Sequence, residues 1–348
     1  MLGVSLTKFI CNCNESILQA MKKIDLNTYK FLIIVDGEQK LLGSVTDGDI
    51  RRHLLAGGKL EDCVLKACNK DPKFATSVSE AEQYLNKHFI AIPIVDNNKK
   101  LISIYLGNGD LEIPKESLNV PVVINAGGKG TRLDPYTKIL PKPLIPVGDL
   151  PIIEHIMQRY QSYDCNDFHI IVNYKKELMK GYFSEIDGKY NITWYDEKTP
   201  LGTGGGLSLL KGKIRDPFFF INCDNLLLSD YASILKFHKE NHNSITMVCA
   251  YKSVQLSYGI VEMGLNGAIE SMKEKPNFSF LTNTGIYVVE PHVIDEMQDN
   301  VSIGFPDVVL QQKEKGNKVA VYPVSENDWL DMGQLPELEK MRKVLCGE

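Results

Sequence analysis

Residues 121–133 read Pro121-Val122-Val123-Ile124-Asn125-Ala126-Gly127-Gly128-Lys129-Gly130-Thr131-Arg132-Leu133. The first half is a short continuous apolar run, the pattern of a strand buried on both faces. The second half is a glycine-rich turn ending in a threonine and an arginine. Without a Cβ, glycine lets backbone N–H groups come close to phosphate oxygens. Arg132 adds a planar cation suited to spreading phosphate charge. The chain continues through Pro135, Thr137 and Pro141-Lys142-Pro143-Leu144. Prolines there stiffen a loop that presents Lys142 as a point charge.

Spacing excludes two common loops of this general kind. A Walker loop needs Gly-x-x-x-x-Gly-Lys-Ser/Thr, which is absent. A dinucleotide fingerprint needs a third glycine where Leu133 follows Gly128 and Gly130. Further along, the apolar run Phe218 to Ile221 ends at Asp224, which puts that carboxylate at a strand's carboxyl end. Open α/β sheets bind their ligands there. The fold expected for this part is a mostly parallel, Rossmann-like α/β sheet flanked by helices.

At 348 residues the chain exceeds what one core usually covers, so two or more domains are expected. Hydrophobic residues make up 43% and charged residues 24%, which excludes a disordered tail or a fibrous repeat. The net charge of −5, from 39 Lys+Arg against 44 Asp+Glu, argues against a nucleic-acid partner. No apolar run approaches the ~18 residues of a membrane span. Met1 to Cys13 lack an apolar core with a cleavage site, so a cytoplasmic protein is expected, with no membrane partner. The eight cysteines include two close pairs, Cys11 with Cys13 and Cys63 with Cys68, without a zinc-ligand cluster. They read as scattered reduced thiols.

The first third is duplicated. Phe31-Leu32-Ile33-Ile34-Val35-Asp36, a polar turn and Lys40-Leu41-Leu42-Gly43-Ser44-Val45 form one unit. Ala91-Ile92-Pro93-Ile94-Val95-Asp96, a turn and Lys100-Leu101-Ile102-Ser103-Ile104-Tyr105 repeat it sixty positions later. Each reads as two strands joined by a short turn, preceded by a helical pattern at Ser16 to Lys23 or Val78 to Lys87. A polar stretch, Leu111 to Asn119 with Pro114 inside, reads as a linker. The expected domains are therefore 1–118 and 119–348.

The duplication resembles a tandem pair of CBS domains, on Gly43-Ser44-Val45-Thr46-Asp47-Gly48-Asp49-Ile50 of the first copy. The resemblance implies that Thr46 and Asp49 hold the phosphate and ribose of an adenine nucleotide. The same two residues could instead cap the helix at Ile50 to Leu55. The second copy has Ser103-Ile104-Tyr105-Leu106 at the equivalent place, without the Thr and Asp.

Residues 120–345 resemble the sugar-1-phosphate nucleotidyltransferases. Separated blocks carry the likeness in order: Asn125 to Gly148; Tyr195-Asp196-Glu197-Lys198-Thr199-Pro200-Leu201-Gly202-Thr203-Gly204-Gly205-Gly206; Phe218 to Asp224; Tyr258-Gly259-Ile260-Val261-Glu262; Glu274-Lys275-Pro276; Asn283-Thr284-Gly285-Ile286-Tyr287; and Trp329-Leu330-Asp331-Met332-Gly333. The resemblance implies attack of a sugar 1-phosphate on the α-phosphorus of an NTP, with pyrophosphate leaving. It implies Arg132 and Lys142 as catalytic cations and Ala126, Gly127, Gly128, Gly130, Thr131, Gly202 and Thr203 as the nucleotide site. It implies Gly259, Glu274, Lys275 and Asn283 on the sugar phosphate, and Asp224 with Asp331 on Mg²⁺. The reaction suits such a set. A phosphate monoester is mostly dianionic at pH 7 and needs no general base, so catalysis reduces to positioning and charge neutralisation.

A CBS pair ahead of this catalytic type resembles bacterial guanylyltransferases of surface-glycan sugars. That implies GTP, with glucosamine 1-phosphate as the first expected sugar. Mannose, heptose and glucose 1-phosphates, and uridylyl, thymidylyl or cytidylyl transfer, fit the same motifs. A non-catalytic nucleotide sensor is the alternative of another class. CBS pairs often associate, so a homo-oligomer is expected.

Overall fold

A computed structural model describes residues 6–27, 29–84, 91–106, 116–186 and 188–346. The chain divides into two compact units, Met1–Pro114 and Lys115–Glu348. The end of the helix expected to reach Lys87, and the linker before residue 116, lie outside the described residues.

In the first unit, β1 (Ile10–Asn12), α1 (Ile17–Leu26), β2 (Phe31–Val35), β3 (Leu41–Thr46) and α2 (Asp47–Leu55) make the first repeat. Then α3 (Val78–Tyr84), β4 (Ala91–Val95) and β5 (Leu101–Leu106) make the second. Both expected hairpins form, β2 with β3 and β4 with β5, each antiparallel. Ser16 caps α1 through a reciprocal bond with Gln19, which explains why the helix starts there. The two hairpins share an apolar core that includes Phe31, Ile33, Leu41, Val95 and Leu101.

The second unit opens with β6 (Val122–Asn125), the strand that begins the glycine turn. It continues through α4 (Tyr136–Ile139), the short β7 (Pro146–Val147) and β8 (Leu150–Pro151), α5 (Ile152–Gln161), β9 (Asp167–Val172), α6 (Lys176–Glu185) and β10 (Asn191–Asp196). Next come β11 (Phe218–Asn222), β12 (Asn225–Leu227), α7 (Tyr231–Glu240), β13 (Ile245–Gln255), β14 (Ile260–Met263), β15 (Ile269–Lys273) and β16 (Asn277–Val289). The unit ends with α8 (Pro291–Asp295), α9 (Phe305–Glu314), β17 (Val319–Val324), β18 (Trp329–Asp331) and α10 (Leu335–Cys346).

Its central sheet has the order β10-β9-β6-β11-β16-β13-β17. Only β16 runs antiparallel to its neighbours; the other pairings are parallel. The expected mostly parallel sheet is thus observed. Val122, Val123, Ile124 and Phe218 to Ile221 are buried, because helices cover both faces of a parallel sheet. The chain runs outward from β6 to β9 and β10, then returns to β11 on the other side of β6. Such a reversal opens a crevice at the carboxyl ends of β6 and β11. No helix among the described residues is long and apolar enough to cross a membrane.

Candidate active site

A cleft of about 500 Å³ lies at that crevice. Gly128, Gly130, Thr131 and Arg132 come from the turn after β6, Lys142 from the proline-bounded loop, and Thr203 from the glycine-rich loop between β10 and β11. Asp224 follows β11, Asn283 lies in β16, and Asp331 ends β18.

The two aspartates meet through a small ladder. β12 pairs antiparallel with β18, so Asn225 stands opposite Asp331 and the Met332 N–H donates to Asp224 O at 2.9 Å. Lys142 Nζ donates to Asp224 Oδ2 in a largely buried ion pair. The other oxygen, Asp224 Oδ1, accepts from Asn225 Nδ2 at 3.1 Å. The Trp329 indole N–H in turn holds Asn225 Oδ1 at 3.0 Å, which fixes the amide's orientation. Burial, then the nearby Asp224 charge, pushes the Asp331 carboxyl up to about 6, against the pull of Lys142 and Arg132. Two carboxylates repelling each other in a cleft are a donor set short of positive charge. Mg²⁺ takes one or two carboxylates and completes its shell with water and substrate phosphates, so the pair fits that ion.

The glycine turn serves packing as well as access. Gly130 has φ +66°, and a Cβ there would lie 2.9 Å from Lys142 Cβ, so glycine lets the lysine loop close on the turn. Gly128 has open space where a side chain would stand, and it lines the cleft. A Cβ on Gly127 would meet Glu197 Oε2 at 2.7 Å.

Several expected site residues do not line the cleft. Ala126 is buried and its N–H is spent on Ile171 O. Gly202 has φ +78° against the Ile303 carbonyl, a packing requirement. Thr203 lines the cleft, but its hydroxyl holds the Phe305 N–H at 3.0 Å. Gly259, Glu274 and Lys275 are exposed on a separate arm, where Gly259 approaches the Glu274 carboxylate. Asn283 does line the cleft, with its amide donating to Tyr287 Oη and its carbonyl accepting from Gly285 N–H. Thr46 and Asp49 form a reciprocal capping box at the start of α2, with Asp49 also paired to Arg52. Both also line a cavity of about 790 Å³ in the first unit.

Two features escaped sequence reasoning. Asn173-Tyr174-Lys175, after β9, staples three site segments. Asn173 Nδ2 donates to Glu197 O, the Tyr174 N–H to Gly127 O, and Tyr174 Oη to Thr137 O. Lys175, at φ +51°, donates to Lys138 O and Ile139 O. Glu197 is the second. It is 5% exposed, and its Oε1 has no hydrogen-bond partner. Burial pushes its carboxyl up to about 7, opposed only by a backbone bond from Leu201. Its carboxylate lies behind Gly127 and Gly206 and does not itself line the cleft, and a buried acceptor without a donor asks for an explanation.

The nucleotidyl transferase family model matches residues 121–346, and the CBS domain model matches residues 6–56, the first repeat. A mannose-1-phosphate guanyltransferase of Pichia angusta is 35% identical over 227 residues, covering 61% of this chain and 60% of that protein. One from Yarrowia lipolytica is 36% identical over 221 residues, with 61% and 60% covered. The chain thus spans about 60% of the length of these curated relatives. The solved structure of HddC from Yersinia pseudotuberculosis superposes with a TM-score of 0.52 at 19% identity, over 65% of this chain and 99% of that one, a likeness of fold. A cleft built on the turn after β6 and the aspartates of β11 and β18, together with the match over 121–346, places this chain in the nucleotidyl transferase family, with a CBS domain ahead of the transferase fold.

Proposed function

We propose that the protein is a cytoplasmic sugar-1-phosphate guanylyltransferase, converting GTP and a sugar 1-phosphate into a GDP-sugar and pyrophosphate. The observation that carries this is the convergence of Arg132, Lys142, Asp224 and Asp331 on one cleft beside the glycine turn. In this reading backbone N–H groups of the turn and Arg132 hold the triphosphate. Lys142 leaves Asp224 for the α-phosphate and neutralises charge that builds during transfer. Asp224 and Asp331 would hold Mg²⁺, which when bound would supply charge neutralisation at the phosphate oxygens. Gly259, Glu274, Lys275 and Asn283 orient the sugar phosphate once the arm bends toward the cleft. Asn173, Tyr174 and Lys175 keep the loops in register, so that little reorganisation accompanies the reaction.

Guanine is supported by the relatives' names and by Glu197. Guanine presents N1–H and an amino group side by side, two donors for one carboxylate. Adenine presents an acceptor at that ring position. For the sugar we propose glucosamine 1-phosphate, as in the guanylyltransferase of bacterial legionaminic acid biosynthesis. The exposed Glu274 carboxylate is available to a 2-ammonium group. Mannose 1-phosphate is the second reading, favoured by the relatives' names. The 1–118 segment acts as a regulatory module, with the cavity beside Thr46 and Asp49 taking an adenine nucleotide.

Pyrophosphate release tests this, with four NTPs against glucosamine, N-acetylglucosamine, mannose, glucose and heptose 1-phosphates and Mg²⁺. GTP with glucosamine 1-phosphate should give the highest kcat/KM. No release with any pair would sink the transferase reading, and a preference for mannose 1-phosphate would replace the sugar assignment.

A further inference from the structure

Eleven of the 23 exposed large hydrophobic side chains among the described residues fall within residues 254–281. They belong to the arm formed by the outer ends of β13 and β16 and the β14–β15 hairpin. On that hairpin Val261 is the register partner of Met272, and Met263 that of Ile269. Cross-strand partners share a face, as do Val261 and Met263, two apart in β14; on β15 a bulge leaves Glu270 unpaired, so that Ile269, three positions from Met272, still stands opposite Met263. These four side chains therefore stand together, between 54% and 77% exposed, with Leu265 at the tip 91% exposed. The Glu262–Ser271 pair, joined by a hydrogen bond of 2.6 Å, occupies the opposite face. Among the described residues of the second unit, none covers the apolar face.

We propose that this face is a self-association surface, closed by the same hairpin of a second copy of the chain. Its five apolar residues expose roughly 700 Å², beyond the usual largest patch of a monomer and near the ~800 Å² each partner gives a standard interface. A two-fold axis lays the patch on itself, so one surface supplies both halves. In the first unit Leu26, Leu42, Leu55 and Ile102 are scattered over α1, β3, α2 and β5. The rim carries both signs, with Glu270 and Glu274 near Lys273 and Lys275. That rim disfavours an anionic membrane and lets acids of one copy meet lysines of the other.

Sedimentation equilibrium of the full chain tests it, comparing wild type with Met263→Glu/Ile269→Glu. The wild type should sediment at an even multiple of 39.1 kDa, and the double variant at half the wild-type mass with an unchanged circular dichroism spectrum. Should the charged pair fail to fold, Ile269→Thr must show weakened association instead. Ile269→Cys should also form a disulfide-linked dimer on mild oxidation. A monomeric wild type overturns the proposal, and arm amides protected from hydrogen exchange in that monomer would give the face to the first unit. An oligomer of unchanged mass in the variants overturns it equally.

Discussion

Replacing Glu197 by glutamine tests whether a buried, unpartnered carboxylate reads the base. The folded-state carboxyl titrates near 7 and the unfolded one near 4.5. Because the folded value is raised, the protonated group favours folding. That contribution is complete below about pH 4.5 and is lost as pH rises through 7. At ~1.4 kcal/mol per unit, the wild type should lose about 3 kcal/mol between pH 4.5 and 7.5 that Glu197→Gln does not lose. For a domain of this size that is roughly 6–12 °C in Tm. Thermal denaturation of both proteins across this range reads the difference directly. Bound GTP, donating two N–H groups to the ionised carboxylate, should return part of the lost stability above pH 7 in the wild type alone. In turnover, the preference for GTP over ATP in kcat/KM should fall ~10- to 100-fold in the variant, the worth of a charged hydrogen bond. Parallel Tm profiles for the two proteins would refute the burial argument. Diverging profiles with unchanged nucleotide preference would leave Glu197 a structural residue and refute its role on the base.

Asp224→Asn removes one of the two cleft carboxylates and should lower kcat by at least ~100-fold, with Tm held within a few degrees; near-wild-type turnover would refute the metal role. Lys175→Gly keeps the left-handed backbone but deletes both bonds to the Lys138 and Ile139 carbonyls. It should cost ~1–3 kcal/mol in kcat/KM, and Lys175→Arg should recover most of it in steady-state assays. Thr46→Ala breaks the capping box of α2 and should destabilise the first unit by about 1 kcal/mol in denaturant titrations. Its transferase activity without added effector should match wild type.

Residues 121–133 announced both strand and turn because their chemistry is local. An apolar run of strand length and glycines at a turn act within a few positions of each other. Asp224 was legible for the same reason, standing directly after a buried strand. The two hairpins of the first unit were legible because the pattern occurs twice. Thr46 and Asp49 showed the limit of this, since one short spacing serves a helix cap and a phosphate site alike, and the cap is what the fold displays.

Sequence alone determined the α/β class, the strand-to-glycine turn at its head and the duplicated first unit. The pairing of Asp331 with Asp224 was decided by β12 and β18, strands more than a hundred residues apart whose ladder no local pattern encodes. Glu197 was visible as a letter, but burial and a missing donor arise only when β10, the glycine turn and Gly206 close around it. The staple at Tyr174 and Lys175 likewise exists only once the end of β9 lies beside the loop after β6. Sequence carries short-range stereochemistry, whereas desolvation and long-range contact belong to the assembled fold.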